Sequence, residues 1–308
     1  VIRDQLLAVT GLLKIFAGLP EALHPNEMPV PKDRLEFANW LVDRENPLTA
    51  RVVANRQWAA LFGTGIVSTV NDFGMQGAPP THPELLDHLA IFLIENDWSI
   101  KKLHQHIVTS ATYRRSSHAG NVVTDRRWLA RFPRQRLEAE MIRDTALHAA
   151  RLLHPKMFGP PVRPPQPDGV NEVAYDAAKW SPSPSPDRYR RSIYTYLKRT
   201  APFAMLTTFD AGSGESCLAQ RDRSNTPLQA LTLLNDPMFV EIAEKFGNDL
   251  ATDEGDPTTT LLHAFRRVLT RPPTDEELNR MLEFHEQHAN WPALARALLC
   301  LDEAVTKN

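Results

Sequence analysis

The chain has 308 residues, 42% hydrophobic and 23% charged, with a formal net charge of −2 at pH 7. That length and balance support one large or two medium hydrophobic cores and exclude disorder as the default. No run of about 18 apolar residues occurs, so no membrane span is expected, and the near-zero net charge argues against nucleic acid as a partner.

In chain order, Leu6 to Leu19 reads as an amphipathic helix rather than a signal peptide, because Asp4 and Lys14 flank or interrupt it and no small-residue cleavage site follows. The start at Val1 without methionine leads us to expect a fragment of a longer polypeptide, with residues 1–30 belonging to a preceding region. Asp33 to Val42 carries the spacing of a one-sided helix. Asn46-Pro47 supplies a cap and a first-turn proline for a helix running to about Phe62, which Gly63 and Gly65 end. His82-Pro83 opens a helix to Glu95, and Ser99 caps another over Ile100 to Ser110. Gln135 to Leu153 is a further helix.

Pro155 to Pro186 holds nine prolines and little periodicity, which predicts an extended loop. Arg191 to Leu197 alternates in the manner of a strand, the one good strand signal. Helices resume at Thr226-Pro227 and again after Asp236-Pro237, followed by three over Thr258–Leu269, Thr274–His288 and Trp291–Ala304. The fold class expected is mainly α, a multi-helix globular domain with a proline-rich central loop and at most a small β element. Residues 31–308 form that domain, drawn as two helical lobes, 31–154 and 187–308, joined by the segment 155–186.

The charge is uneven. Ala111 to Arg223 holds 19 basic and 11 acidic residues, whereas the remainder holds 16 and 26. Of the 35 basic residues 26 are arginine, and Arg114 to Arg143 has eight arginines and no lysine. The planar guanidinium fork suits bidentate pairing with carboxylate, sulfate or phosphate. Internal pairing with Glu138, Glu140 and Asp144 is the ordinary use of such residues; a face for an anionic ligand is the other.

Motifs with chemical meaning are sparse. Cys217 and Cys300 have neither CxxC nor CxxCH spacing, so neither thiolate metal sites nor covalent haem attachment is built into this chain, and a single disulfide between them is left open. His82, Glu84 and His88 are better explained as helix-start and surface residues than as metal ligands, and no metal is expected. Nothing matches GxSxG, and Gly212-Ser213-Gly214 lacks the Lys-Ser/Thr ending of a phosphate loop. Asn71 to Gly77 is a glycine-punctuated loop between two helices that presents Asp72 and Gln76. Arg190, Arg191 and Arg199 interleave with Tyr189, Tyr194 and Tyr196, a pattern that can bind nucleic acid or sugar, although alternation turns one set inward to pair with acids such as Asp210.

Several blocks, in order, resemble a known family. They are NPLTARVVANRQW at 46–58, DFGMQG at 72–77, HPELLD at 82–87, SATYRRSS at 110–117, RLEAEMIRD at 136–144, YRRSIY at 189–194, Lys198-Arg199, Phe209-Asp210 and RSNTPLQALTLLND at 223–236. Together they resemble the planctomycete secreted domain of unknown function (domain of unknown function 1553), over about Arg34 to the C-terminus. The resemblance implies an extracytoplasmic setting at the C-terminal end of a larger exported protein, with upstream domains that often include a haem-c domain carrying CxxCH. It implies no activity and no catalytic residues.

The polar residues inside these blocks are the candidate ligand cluster: Asn55, Arg56, Asp72, Gln76, Arg136, Glu140, Arg143, Asp144, Arg190, Arg191, Arg199, Asp210, Asn235 and Asp236. The leading expectation is an accessory binding module without a cofactor of its own, whose partners are the upstream domains or an anionic polysaccharide. The alternative is an extracytoplasmic polysaccharide-modifying hydrolase or oxidoreductase using Asp72, Glu140, Asp144 and Asp210 as acids. Carboxylates facing one another across an open cleft would favour the enzyme; carboxylates buried against arginines would mark a scaffold.

Overall fold

The computed structural model describes residues 33–74, 76–117, 125–170, 180–215, 217–218, 220–253 and 255–307. The helix expected at Leu6 to Leu19 lies outside them. The chain is mainly helical and divides into two compact units, Val1–Pro133 and Arg134–Asn308.

In the first unit, α1 (Arg34–Leu41) is capped by the Asp33 side chain, which accepts from Glu36 N–H. Asn46 is buried, and its Oδ1 accepts from Leu48 and Thr49 N–H, so it seeds α2 (Thr49–Phe62) from two residues further upstream than a standard cap. Gly63 closes α2 at φ 82°, a left-handed conformation that glycine adopts without a Cβ penalty. Pro83 opens α3 (Pro83–Glu95), and Ser99 caps α4 (Ile100–Val108) by accepting from Lys102 N–H. Leu86, Leu89 and Leu93 of α3 pack with Ala54, Trp58 and Phe62 of α2 and with Leu103 and Ile107 of α4. Trp58 and Phe62 stack with ring centroids 4.1 Å apart, and Tyr113 and Phe132 close on Phe62.

The second unit begins with β1 (Gln135–Arg136), which leads into α5 (Ala139–Ala149). After the proline-rich stretch come α6 (Ala204–Thr208), α7 (Pro227–Asn235), α8 (Pro237–Ala251), α9 (Pro257–Leu269), α10 (Asp275–His288), α11 (Trp291–Leu299), α12 (Asp302–Val305) and β2 (Thr306–Lys307). Caps explain most starts: Asp236 and Asp256 accept from Met238 and Thr259 N–H just before prolines 237 and 257, and Thr274 with Glu277 forms a capping box. α8 and α11 approach so closely that a Cβ on Gly247 would sit 2.3 Å from Pro292 N. The core gathers Ile142, Leu147, Phe203, Met205, Phe239, Phe246, Phe265 and Leu298.

The structure differs from expectation in where the chain divides and in the expected strand. The division falls at Pro133 rather than along the proline-rich segment, because α5 shares one core with α8, α9 and α11. The strand expected at Arg191 to Leu197 is absent: Asp187–Tyr189 and Ser192–Tyr194 are single 3₁₀ turns, held by Tyr194 N–H to Arg191 C=O and Thr195 N–H to Ser192 C=O. Its alternation is nonetheless real, with Arg190 and Ser192 buried and Arg191 and Ile193 exposed. What pairing exists is two isolated bridges, His154 with Arg190 and Val162 with Thr195. Prolines 155, 160, 161, 164 and 165 remove the N–H donors that a longer ladder needs. The β element instead pairs β1 antiparallel with β2, Gln135 opposite Lys307. Cys217 and Cys300 are both free thiols.

Candidate functional site

The densest polar constellation lies in the second unit, around Arg143. α5 is amphipathic, and Arg143 falls on its apolar stripe with Ala139, Ile142, Ala146 and Leu147, so the fold carries its guanidinium into the core. There Nη1 donates to Arg190 C=O at 2.8 Å and to Ser192 Oγ at 3.1 Å, and Nη2 donates to Arg188 C=O at 2.6 Å. Nε points at Met238 Sδ, 3.0 Å away. Burial lowers its pKa to about 10, against the opposing pull of Asp144 3.7 Å away, so it stays a cation at neutral pH. Asp144 accepts from Ser192 N–H at 2.8 Å and Ser192 Oγ at 2.7 Å.

Arg190 is the second lattice point. Both it and Arg143 are 0% exposed. Its guanidinium donates to Lys156, Phe158 and Pro160 carbonyls and lies 3.9 Å over the Tyr194 ring. Proline-rich chain leaves carbonyls without a ladder partner, and a buried arginine with five donors satisfies several at once. The two arginines therefore fasten Lys156–Pro160 and Arg188–Ser192 to α5.

Arg136 and Asp210 make a third fastening. Their salt bridge is 2.6 Å long, and Ser224 adds its N–H and Oγ to the same carboxylate. Burial pushes the Asp210 carboxyl upward, but the Arg136 and Ser224 bonds outweigh it and hold it below the usual range. Glu140 is gripped bidentately by Arg221 at 2.6 and 3.0 Å; burial again raises and Arg221 overcomes, leaving the carboxyl lowered. Asp236 is the buried cap of α8, and desolvation pushes its carboxyl up to about 6, opposed by Met238 N–H.

The remaining candidates separate. In the first unit Asn55 is fully buried, exchanging two hydrogen bonds with the Val67 backbone at 2.8 and 3.0 Å. Asp72 accepts from Gly74 N–H within its own loop, and Arg56 and Gln76 are exposed. In the second unit Asn235 accepts from Arg296, Arg199 is exposed, and Arg191 is 53% exposed with Nε 4.0 Å from Asp144. The structure thus joins Arg136 with Asp210, and Arg143 with Asp144 and Arg190, but leaves Asn55, Arg56, Asp72 and Gln76 in the other unit.

Sequence reasoning missed Arg221, Arg163 and Ser224. Arg163, inside the proline-rich stretch, places its guanidinium 4.5 Å over the Tyr196 ring, and Trp180 lies 6.3 Å from the same ring. The available signal was an isolated arginine between prolines, followed by Tyr196 on the segment that bridges back to it.

Fold and site together define a mainly helical domain in which arginines staple proline-rich chain at Lys156–Pro160 to a helical core. Among the described residues no group of three or more His, Cys, Asp or Glu could hold a metal ion, and no helix is long and apolar enough to cross a membrane. Residues 33–285 match the family described as PSD1, protein of unknown function (DUF1553), and the chain belongs to that family. No curated protein and no solved structure matches it.

Proposed function

We propose that this chain is an accessory binding module that takes an anionic polysaccharide on the exposed side of the chain around Arg163 and Arg191–Arg199. The observation that carries the reading is the Arg163 guanidinium stacked over Tyr196, outside a segment whose inner side is fastened by buried Arg143 and Arg190. An aromatic ring backed by a cation offers a sugar both an apolar face and charge-assisted donors. Arg191 and Arg199 are exposed on the same segment and add two further cations. Holding the backbone rigid from inside lowers the ordering cost of binding.

An acid/base site is less well supported, since Glu140, Asp144 and Asp210 are each engaged by arginine or by serine donors. The setting we assign is extracytoplasmic, with upstream domains of the same polypeptide, a haem-c domain among them, as further partners; the family resemblance supports both. The test is affinity of the purified chain for a sulfated against a neutral polysaccharide across a salt series. Binding that weakens with salt and disappears in an Arg163→Ala/Arg191→Ala/Arg199→Ala variant supports the reading. Equal binding of both polysaccharides overturns it.

A further inference from the structure

A cleft of about 560 Å³ opens elsewhere in the second unit, where the ends of α5 and α8 meet one face of α9. Its charged and titratable lining is Arg151, Asp249, Asp253, His263, Arg266 and Arg267. None of these was singled out by sequence. His263, Arg266 and Arg267 fall on one face of α9 by helical spacing, and Asp249 and Asp253 stand four residues apart at the end of α8.

The floor is fixed. Arg267 donates to Ala149 C=O through Nε and Nη2, covering the carbonyl end of α5, and donates to Asp249 at 2.7 Å through Nη1. It also lies 4.6 Å over the Phe246 ring. Asp249 is engaged by Arg267 and, at 3.4 Å, by Arg151, and Asp253 lies 3.6 Å from His263 Nδ1. Donor capacity in the cleft stays open as well. Arg151 is 70% exposed with one nitrogen engaged, and Arg266 is exposed with no partner among the described residues. Three arginines against two aspartates leave the lining net positive before His263 is counted.

From this geometry we infer that the cleft binds a small oxyanion-bearing ligand, its carboxylate, sulfate or phosphate group set between Arg151 and Arg266. The guanidinium forks match such a group two bonds at a time. The volume falls in the range of small-molecule sites and exceeds a bare anion, which fits a sugar acid or a sulfated or phosphorylated sugar. The site shares no residue with the 154–199 segment and stands whether or not that face binds polysaccharide.

The experiment is a calorimetric titration of the whole chain with glucuronate, sulfate and phosphate at constant ionic strength, with chloride as reference. Saturable binding of at least one of the three is expected, weakened about tenfold in Arg266→Ala and in Arg151→Ala and unchanged in the Arg163→Ala/Arg191→Ala/Arg199→Ala variant. Far-ultraviolet circular dichroism confirms that the two exposed-site variants keep their helix content. Three outcomes overturn the inference: no saturable binding of any probe, full affinity in both cleft variants, or loss of affinity in the triple variant.

Discussion

Arg143 donates to the main-chain carbonyl of Arg190, 2.8 Å away, and both side chains are completely withdrawn from solvent. One arginine thus secures the backbone of the other, while the second secures carbonyls of Lys156, Phe158 and Pro160. Chain too proline-rich to build a sheet obtains part of its hydrogen bonding from side chains, beside its two isolated backbone bridges.

Replacing Arg143 with methionine keeps much of the volume but leaves the Arg188 and Arg190 carbonyls buried without donors. The expected loss is about 3–5 kcal/mol, a fall in melting temperature of roughly 10 °C for a unit of this size. Thermal unfolding followed by circular dichroism measures it; a shift within 2 °C, roughly 1 kcal/mol or less by the same scaling, would show that the lattice is dispensable.

Asp236 makes stability pH-dependent in an unusual direction. Burial raises its carboxyl from 3.8 to about 6, so the folded state binds this proton more tightly than the unfolded state. Its contribution is fully present below about pH 4 and is lost as pH rises through 6, about 3 kcal/mol in all. Asp236→Asn keeps an N-cap acceptor without the charge. Denaturant titrations between pH 4 and 8 should show the variant gaining on the parent as pH rises; parallel curves would refute the assignment.

At Gly247 the constraint is steric. A Cβ there would lie 2.3 Å from Pro292 N and 2.4 Å from Pro292 Cα, backbone atoms that cannot swing aside. Gly247→Ala should cost about 2 kcal/mol or more despite alanine's better helix propensity. A chemical denaturation midpoint equal to the parent's would mean that α8 and α11 pack differently.

In the first unit, Asn55→Ala removes both partners of the buried Val67 peptide groups. We expect a loss of about 2–4 kcal/mol and, more specifically, faster hydrogen exchange at the Val67 amide. Unchanged protection at that amide would count against the pairing.

The helices were legible because their signals are local. Thr226-Pro227, Asp236-Pro237 and the Thr274–Glu277 box each announce a start within four residues, and each start is found there. The 191–197 segment misled because strand-like alternation reports which side chains face inward, not whether the backbone has a neighbour to pair with. Ile193 is 74% exposed on a 3₁₀ turn, as alternation implies, with no ladder beside it. Among candidate residues, the Arg136–Asp210 pair spans 74 positions and the Arg143–Arg190 contact 47, distances over which a single sequence carries no pairing information. One clue was available for Arg143: it interrupts an otherwise apolar helix stripe, where a charge is either an error of pattern or a buried partner.

In the proposed division of labour, buried arginines hold Lys156–Pro160 and Arg188–Ser192 and exposed ones bind polysaccharide. The most direct measurement compares sulfated-polysaccharide affinity and melting temperature in the Arg163→Ala/Arg191→Ala/Arg199→Ala variant. The expected result is affinity reduced about a hundredfold or more, as two or more charge-assisted contacts are removed, with the melting temperature within about 2 °C of the parent. Parental affinity, or a collapse of stability in that variant, would contradict it.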